Sequence, residues 1–206
     1  MKDHKFTYLA LGDSYTIGEA VTKSYPQLLV ESWKQHFGIE TDVKILAKTG
    51  WRSDQLLLAF YEEIERVYPS KHFDLISILI GVNNLYQGLD LSDFAEEFET
   101  LVKKAIEITD QSSVVAISIP DYGFTPFGAD KKSEIYSKID LFNERIRKSC
   151  EWMGIPFYYI TDLTRKNDPL LVASDQLHIS EKCHRLIAER LASGFYFKIT
   201  EKSTLK

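Results

Sequence analysis

Apolar residues along the chain form short continuous runs, which are separated by longer segments with helical spacing. The runs lie at 7–11, 43–46, 75–80, 114–119 and 157–160. Continuous rather than alternating hydrophobicity is typical of strands that are buried on both faces of a parallel sheet. These runs therefore predict five parallel strands.

Between the runs, apolar residues recur every three or four positions, as on one face of a helix. The four stripes are Leu56, Leu57, Phe60, Ile64 and Val67; Phe94, Phe98, Leu101, Val102 and Ile106; Ile135, Ile139, Phe142 and Ile146; and Leu186, Ile187, Leu191 and Phe195. Ser53 and Ser180 precede the first and last stripes, at positions where a hydroxyl caps a helix. The alternation predicts an α/β protein, a three-layer α/β/α sandwich around a five-stranded parallel sheet. Because no repeat or linker divides the chain, we expect one domain over 1–206.

Composition and charge exclude several classes of partner. The formal net charge is -5 and the basic residues are dispersed, which argues against nucleic-acid binding. No apolar run approaches the length of a membrane span. The run near the N-terminus is also shorter than the apolar core of a signal peptide, so we expect a cytoplasmic protein. The two cysteines, Cys150 and Cys183, are too few for a disulfide framework and suit core positions. The oligomeric state is left open.

Polar residues cluster directly after three of the predicted strands and before the last helix. The clusters are Gly12-Asp13-Ser14-Tyr15-Thr16, Lys48-Thr49-Gly50-Trp51-Arg52, Gly81-Val82-Asn83-Asn84 and Asp175-Gln176-Leu177-His178. Ligands of open α/β sheets bind beyond the carboxyl ends of the strands, so all four clusters are expected at one edge. A hydroxyl, an imidazole, a carboxylate and amide donors together meet the needs of nucleophilic acyl transfer.

Each of these residues, taken singly, also has a structural interpretation. Ser14 suits a helix cap, and Gly50 suits a turn. Asn83 suits a loop residue bonded to its own backbone, and Asp175 an acceptor of backbone N–H groups. A single histidine such as His178 is usually structural. No motif surrounds the other histidines, which are His4, His36, His72 and His184.

In combination and in order, the clusters resemble the motif blocks of the SGNH hydrolases, the GDSL-type lipases and esterases. Gly12-Asp13-Ser14 matches the first block, Gly50 the second, Gly81-Val82-Asn83-Asn84 the third and Asp175-Gln176-Leu177-His178 the last. Two positions depart from the family pattern. Asn84 replaces the usual aspartate, and Ile179 replaces the proline that often follows the histidine. The change at Asn84 bears on how the loop of Asn83 is braced.

The resemblance implies a flavodoxin-like sheet and a carboxylic ester hydrolase. It implies Ser14 as the nucleophile, His178 as its general base and Asp175 as the residue that orients the imidazole. The backbone N–H groups of Ser14 and Gly50 and the side chain of Asn83 would form the oxyanion hole. A small or short-acyl ester, such as an O-acetylated compound, is the expected substrate, with no metal or cofactor. A thioesterase or lysophospholipase of the same family is the alternative.

Aromatic residues in the loops are candidates for the substrate pocket. They are Trp51, Tyr86, Phe124 and Phe127. Arg52, beside Gly50, suits either an anionic group of a substrate or a surface carboxylate. The segment 121–129 is aromatic and rich in glycine and proline, and is expected to be either a mobile rim over the site or a packed loop.

Two functions of other classes stay open at this point. The loop Ser14-Tyr15-Thr16-Ile17-Gly18 could hold the phosphate of a flavin mononucleotide, as in a flavodoxin-like binding module. That interpretation leaves Asp175 and His178 without a role. A binding domain without catalysis is the second possibility, and a complete triad argues against it.

Overall fold

The computed structural model of the chain describes residues 5–65 and 73–204. The predicted strands form one parallel sheet in the order β2-β1-β3-β4-β5. The strands are β1 Phe6–Gly12, β2 Thr41–Ala47, β3 Leu75–Leu79, β4 Val114–Ile117 and β5 Phe157–Tyr158. The three central strands are buried except at Thr7, as predicted, whereas β2 and β5 at the edges are largely half-buried.

Strands β4 and β5 end two residues before their predicted ends. The cause is a side-chain oxygen that replaces a backbone carbonyl of the sheet as hydrogen-bond acceptor. The Ser118 hydroxyl accepts hydrogen bonds from the N–H groups of Ile160, at 2.8 Å, and Thr161, at 3.1 Å. The chain therefore turns away at this point although its residues remain apolar.

Eight α-helices are described between and after the strands. They are α1 Ser14–Ile17, α2 Tyr25–Phe37, α3 Ser53–Phe60, α4 Val82–Tyr86, α5 Leu91–Glu107, α6 Lys132–Met153, α7 Thr161–Thr164 and α8 Glu181–Thr204. A π-helical turn, Tyr61–Glu65, extends α3. The four predicted stripes lie in α3 with this turn, α5, α6 and α8. Val67 of the first stripe lies outside the described residues, as do His4 and His72.

The helices form two layers, one on each face of the sheet. Phe6 and Tyr8 lie two residues apart on one face of β1, and their ring centroids are 5.9 and 5.8 Å from that of Trp33 in α2. Trp33 in turn contacts Phe195 of α8 at 6.2 Å. The other layer contains α3, α5 and α6, which pack side by side. The three-layer sandwich is therefore confirmed, and Cys150 and Cys183 are buried in it.

The two predicted helix caps have different outcomes. Ser180 caps α8, because its hydroxyl accepts from the N–H of Cys183 at 3.3 Å. The prediction for Ser53 is wrong, since α3 begins at Ser53 and Arg52 precedes it. The Ser53 hydroxyl is used elsewhere: it donates to Glu97 and accepts from Asn84.

The strand register decides where the loops begin. Gly12 at the end of β1 lies opposite Ala47 at the end of β2 and Leu79 at the end of β3. The three strands therefore end level with one another. The polar clusters that follow them begin at the same edge of the sheet, as the sequence predicts.

Candidate active site

A cavity of about 280 Å³ opens at this edge of the sheet. Its walls combine residues from three of the four polar clusters with Tyr86 at the end of α4 and two residues of the segment 121–129. The lining residues are Ser14, Tyr15, Val82, Asn83, Tyr86, Tyr122, Phe127, Leu177 and His178. We call this space the first cavity.

Ser14 is the first residue of α1, directly after β1. Asp13 occupies the cap position, where its Oδ1 accepts from the N–H of Tyr15 at 3.0 Å. The interpretation of Ser14 as a helix cap is therefore wrong. Within the described part of the chain, neither the hydroxyl nor the N–H of Ser14 has a hydrogen-bond partner. An N–H group in the first turn of a helix has no acceptor within that helix and is free for a ligand.

Asp175 and His178 form a tight pair in the loop before α8. The ring Nδ1 of His178 lies 2.6 Å from Asp175 Oδ2, while Asp175 Oδ1 accepts from the N–H groups of Leu177 and His178 at 3.0 and 2.9 Å. Burial acts to raise the pKa of the Asp175 carboxyl. The bonds from the His178 ring and the two N–H groups outweigh it and hold that pKa below its usual value. With Nδ1 bound to the carboxylate, Nε2 is the nitrogen free to accept a proton.

Ser14 and His178 line the same cavity, but among the described residues no hydrogen bond of 3.5 Å or less joins the Ser14 hydroxyl to the imidazole. Nucleophile and base contacts in unliganded hydrolases are commonly long and tighten with substrate. The ring of Tyr15 packs against the His178 ring, with centroids 5.4 Å apart. Tyr15 is buried, so its ring limits the movement of the imidazole.

The amide of Asn83 connects the three strand-end loops. Its Nδ2 donates to the carbonyl of Trp51 at 2.9 Å and approaches Asp13 Oδ2 at 3.4 Å. The second contact is long, so this N–H can turn to a ligand. Asn83 is in the first turn of α4, which follows Gly81. Gly81 has a φ of +129°, and a Cβ there would lie 2.9 Å from the Phe94 ring. Only glycine fits this turn.

Gly50 lies beside the first cavity rather than in its lining. It has a φ of +82° and is exposed. Its N–H has no acceptor in the described part of the chain. The bond from Asn83 to the carbonyl of Trp51 connects the Gly50 turn to the Asn83 loop.

Asp13 is a buried carboxyl directly behind the serine. It is fully buried, and burial raises its pKa to about 7, against the opposing bond from the N–H of Tyr15. The carboxyl therefore titrates near neutral pH, beside both Ser14 and Asn83.

The structure divides the predicted substrate residues into two groups. Tyr86 and Phe127 line the first cavity, whereas Trp51, Arg52 and Phe124 do not. Arg52 donates to both carboxylate oxygens of Asp54, at 3.0 and 2.7 Å, and to Gln87 at 3.1 Å. Its guanidinium is thus held by a surface carboxylate, the second of its two predicted roles.

The other two predicted residues have contacts outside the lining of the first cavity. Phe124 lies under the ammonium of Lys132, which is 3.7 Å from its ring centroid. Trp51 is half-buried against the core. Four of the lining residues, Tyr15, Val82, Tyr122 and Leu177, were not predicted to have a role in the site. Three of them adjoin Ser14, Asn83 and His178 in sequence, which is the signal that could have found them.

The segment 121–129 is a packed wall of the first cavity. Asp121 is fully buried and caps the turn Tyr122–Phe124 by accepting from the N–H of Gly123 at 2.8 Å. Its other oxygen accepts from Arg165 Nε at 2.8 Å, and Arg165 also pairs with Asp140 at 2.7 Å. Of the two predicted alternatives, these contacts favour the packed loop.

The described residues contain neither a metal-binding cluster nor a membrane-spanning helix. No cluster of three or more His, Cys, Asp or Glu side chains in 5–65 and 73–204 is arranged to hold a metal ion. No helix in the same ranges has the length and apolar character needed to cross a membrane.

Residues 10–186 match the model of the GDSL-like lipase/acylhydrolase family. The chain belongs to this family. It is accordingly a carboxylic ester hydrolase, and the family prediction from its motifs is confirmed. No curated protein matches its sequence.

Solved structures with the same fold are similar to this GDSL-like chain at low sequence identity. A lipase, Lip_vut3, from a goat rumen metagenome is 19% identical over 92% of this chain and 97% of its own, with a TM-score of 0.76. A lipase/acylhydrolase from Enterococcus faecalis is 18% identical over 92% and 95%, with a TM-score of 0.74. Axe2, an acetylxylan esterase from Geobacillus stearothermophilus, is 16% identical over 93% and 94%, with a TM-score of 0.73. At these identities the likeness shows the fold.

Asn84, the departure from the GDSL-type third block, braces α4 against α3. Its Oδ1 accepts from the N–H of Ser53 at 3.0 Å, and its Nδ2 donates to the Ser53 hydroxyl at 2.6 Å. That hydroxyl then donates to Glu97. An amide can both accept and donate here, whereas an ionised aspartate only accepts. The neutral residue therefore fits the neighbouring Glu97.

Proposed function

We propose that this family member hydrolyses a small, short-acyl ester through an acyl-enzyme on Ser14. The observation that supports the proposal most strongly is the pair of Asp175 and His178, 2.6 Å apart, with its imidazole on the same cavity as the Ser14 hydroxyl. A carboxylate, an imidazole and a hydroxyl in this order are the parts of a serine hydrolase triad.

In the proposed first step, the Ser14 oxygen attacks the carbonyl carbon of the ester while His178 Nε2 takes its proton. The carbonyl oxygen becomes an oxyanion, which the N–H groups of Ser14, Gly50 and Asn83 would stabilise. The carbon–oxygen bond to the alcohol then breaks, and the imidazolium returns the proton to the leaving alkoxide. Water, deprotonated by His178, attacks the acyl-enzyme and releases the acid and Ser14.

Two observations support a short acyl group. The first cavity holds only about 280 Å³, and apolar residues such as Val82 and Leu177 form much of its wall. Axe2, a neighbour in fold, is an acetylxylan esterase. A thioesterase or lysophospholipase for long acyl chains needs a larger cavity. The dependence of kcat/KM on acyl length distinguishes this alternative from a short-acyl esterase.

The flavin-binding alternative has less support. Helix α1 has only four residues, and the buried Asp13 carboxyl occupies its cap. A carboxylate at that position opposes a phosphate. We further propose that 1–206 form one domain, because the five strands form one sheet and the helices pack around it in one hydrophobic core.

A series of p-nitrophenyl esters with acetyl, butanoyl and octanoyl groups tests the proposed reaction. We expect kcat/KM to be highest for acetyl and to fall with chain length. Ser14→Ala should lower kcat by at least about 10⁴-fold, and the exposed Ser193→Ala should match the wild type. Turnover retained in Ser14→Ala would exclude this serine as nucleophile, and a preference for octanoyl would favour the thioesterase or lysophospholipase alternative.

A further inference from the structure

A second cavity of about 400 Å³ adjoins the first. The two share Tyr86, Tyr122 and Phe127, whose ring centroids are 6.0 to 6.5 Å apart. The two cavities therefore meet at these three rings, which form a common wall between the Ser14 cavity and the second cavity. Neither the triad nor the oxyanion donors use this space.

The opposite wall of the second cavity is polar and has no net charge. It contains Asp130 and Glu134, two acids, with Lys131 and Lys138, two bases. Glu134 and Lys138 are paired at 2.6 Å, one turn apart on α6. Burying an acyl chain here would desolvate charged side chains, which is unfavourable. A balanced set of donors and acceptors also gives an anionic ligand no advantage, and instead suits a neutral ligand with many hydroxyl groups.

Tyr122 at the junction has an unused hydrogen-bonding group. Its side chain is nine-tenths buried, with 7% exposed, and lines both cavities. In the described part of the chain its hydroxyl has no hydrogen-bond partner, and it is not one of the buried unpartnered atoms, so it is open to solvent. Tyrosine presents an apolar ring with a polar tip, so this hydroxyl is available to a ligand hydroxyl at the junction. Burial raises the pKa of Tyr122 to about 12, so the hydroxyl stays a donor at neutral pH.

The aromatic rings of the shared wall are unusually open. Tyr86 is 58% exposed and Phe127 is 53% exposed, although large aromatic side chains are mostly buried. A ligand with apolar C–H groups on one face and hydroxyl groups along its edge would cover these rings and reach the polar wall at the same time. Sugars have this character, whereas acyl chains lack the hydroxyl edge.

We propose that the second cavity binds the alcohol part of the ester, and that this alcohol is a sugar or a similar polyol. The inference rests on the proposed function, because it assigns the two sides of an ester whose carbonyl lies at Ser14. The acyl group would stay in the first cavity. The polyol would stack on Tyr86 and Phe127, bond to Tyr122, and reach Glu134 and Lys138.

The test compares two acetyl esters that differ only in the alcohol, p-nitrophenyl acetate and a mono-acetylated methyl xylopyranoside. Glu134→Ala should lower the ratio of kcat/KM for the sugar ester over p-nitrophenyl acetate by about tenfold, as for a lost hydrogen bond to a charged group. Lys138→Ala should lower the ratio in the same direction. The matched control is Glu144→Ala, which removes a carboxylate paired with Arg147 and Lys148 on the same helix, away from the second cavity. It should leave the ratio unchanged.

An unchanged ratio in both Glu134→Ala and Lys138→Ala would overturn the assignment, as would an equal change in Glu144→Ala. Binding without turnover separates this inference from the proposed reaction. Methyl xylopyranoside, titrated into Ser14→Ala and followed by NMR, should bind more weakly when Glu134→Ala is added. If the wild type hydrolyses neither ester but this difference in binding is seen, the reaction fails and the sugar site stands. If p-nitrophenyl acetate is hydrolysed but the sugar does not bind, the sugar site alone fails.

Discussion

The backbone N–H of Phe127 donates to the carbonyl of Gln176 over 3.1 Å. Phe127 is part of the wall of both cavities, and Gln176 lies between Asp175 and His178. The bond therefore connects the segment that lines both cavities to the loop that contains Asp175 and His178. Gln176 has a φ of +63°, a left-handed conformation that non-glycine residues rarely adopt. Strain of this kind persists at functional sites because surrounding contacts hold it in place.

Substitutions at Gln176 should separate the backbone conformation from the side chain. Glycine adopts a positive φ without steric cost, so Gln176→Gly is expected to change the free energy of unfolding by no more than about 1 kcal/mol. A β-branched residue is strained there, and Gln176→Val should lose about 1–3 kcal/mol. Urea denaturation of both variants measures the difference. Equal stability of the two would contradict a positive φ at this position.

Removal of the Asn83 amide tests the oxyanion hole. Asn83→Ala should lower kcat by about 10²–10³-fold with little change in KM, because the lost donor acts mainly on charge that forms in the transition state. The control is Gln87→Ala, an exposed side chain just after α4 that bonds to Arg52. It should keep the wild-type kcat. An unaltered kcat in Asn83→Ala would remove this residue from the site.

Restoring the usual family aspartate at position 84 should destabilise this protein. In Asn84→Asp, the new carboxylate can no longer donate to the Ser53 hydroxyl, and it competes with Glu97 for the one proton of that hydroxyl. We expect a loss of about 1–3 kcal/mol at neutral pH. Acid should reduce the loss, since protonation restores a donor. Urea denaturation at pH 5 and pH 8 measures both effects, and a variant as stable as the wild type at pH 8 would contradict this account of the brace.

The buried Asp13 carboxyl should make stability depend on pH. Its pKa is about 7 in the folded chain and 3.8 for an unperturbed aspartate, so between these values the folded state holds a proton that the unfolded state releases. The stabilisation is full below pH 4 and is lost as pH rises towards 7. Asp13→Asn should abolish this slope.

The contribution of His184 to the free energy of unfolding depends on pH in the opposite direction. The effect of Asp13 is therefore measured as a difference between the wild type and Asp13→Asn. Burial lowers the pKa of His184 from 6.5 to about 4, so its contribution is present above pH 6.5 and lost as pH falls towards 4. Unfolding free energies of the wild type minus those of Asp13→Asn, measured by urea from pH 4 to pH 8, cancel the His184 effect. A constant difference over that range would mean that Asp13 is ionised throughout.

The sequence by itself determined the fold and the position of the candidate site. Buried parallel strands need continuous apolar runs, so the five strands were visible without any structure. Because parallel strands end at one edge, the order of the runs also placed Ser14, Asn83 and the Asp175–His178 loop together. These properties depend on local pattern and chain order, both of which the sequence states directly.

The tertiary structure decided the direction in which individual side chains point. Arg52 and Phe124 lie in the predicted loops, yet neither lines the first cavity. Arg52 donates hydrogen bonds to Asp54 and Gln87, and the Phe124 ring contacts the ammonium of Lys132. Ser53 was predicted to cap α3, but its hydroxyl is hydrogen-bonded to Asn84 and Glu97, which are distant in sequence. The wall of the second cavity likewise combines Tyr86 with the start of α6, more than forty residues away. Such contacts depend on which long-range partners are within hydrogen-bonding or stacking distance, and no local pattern of residues contains that information.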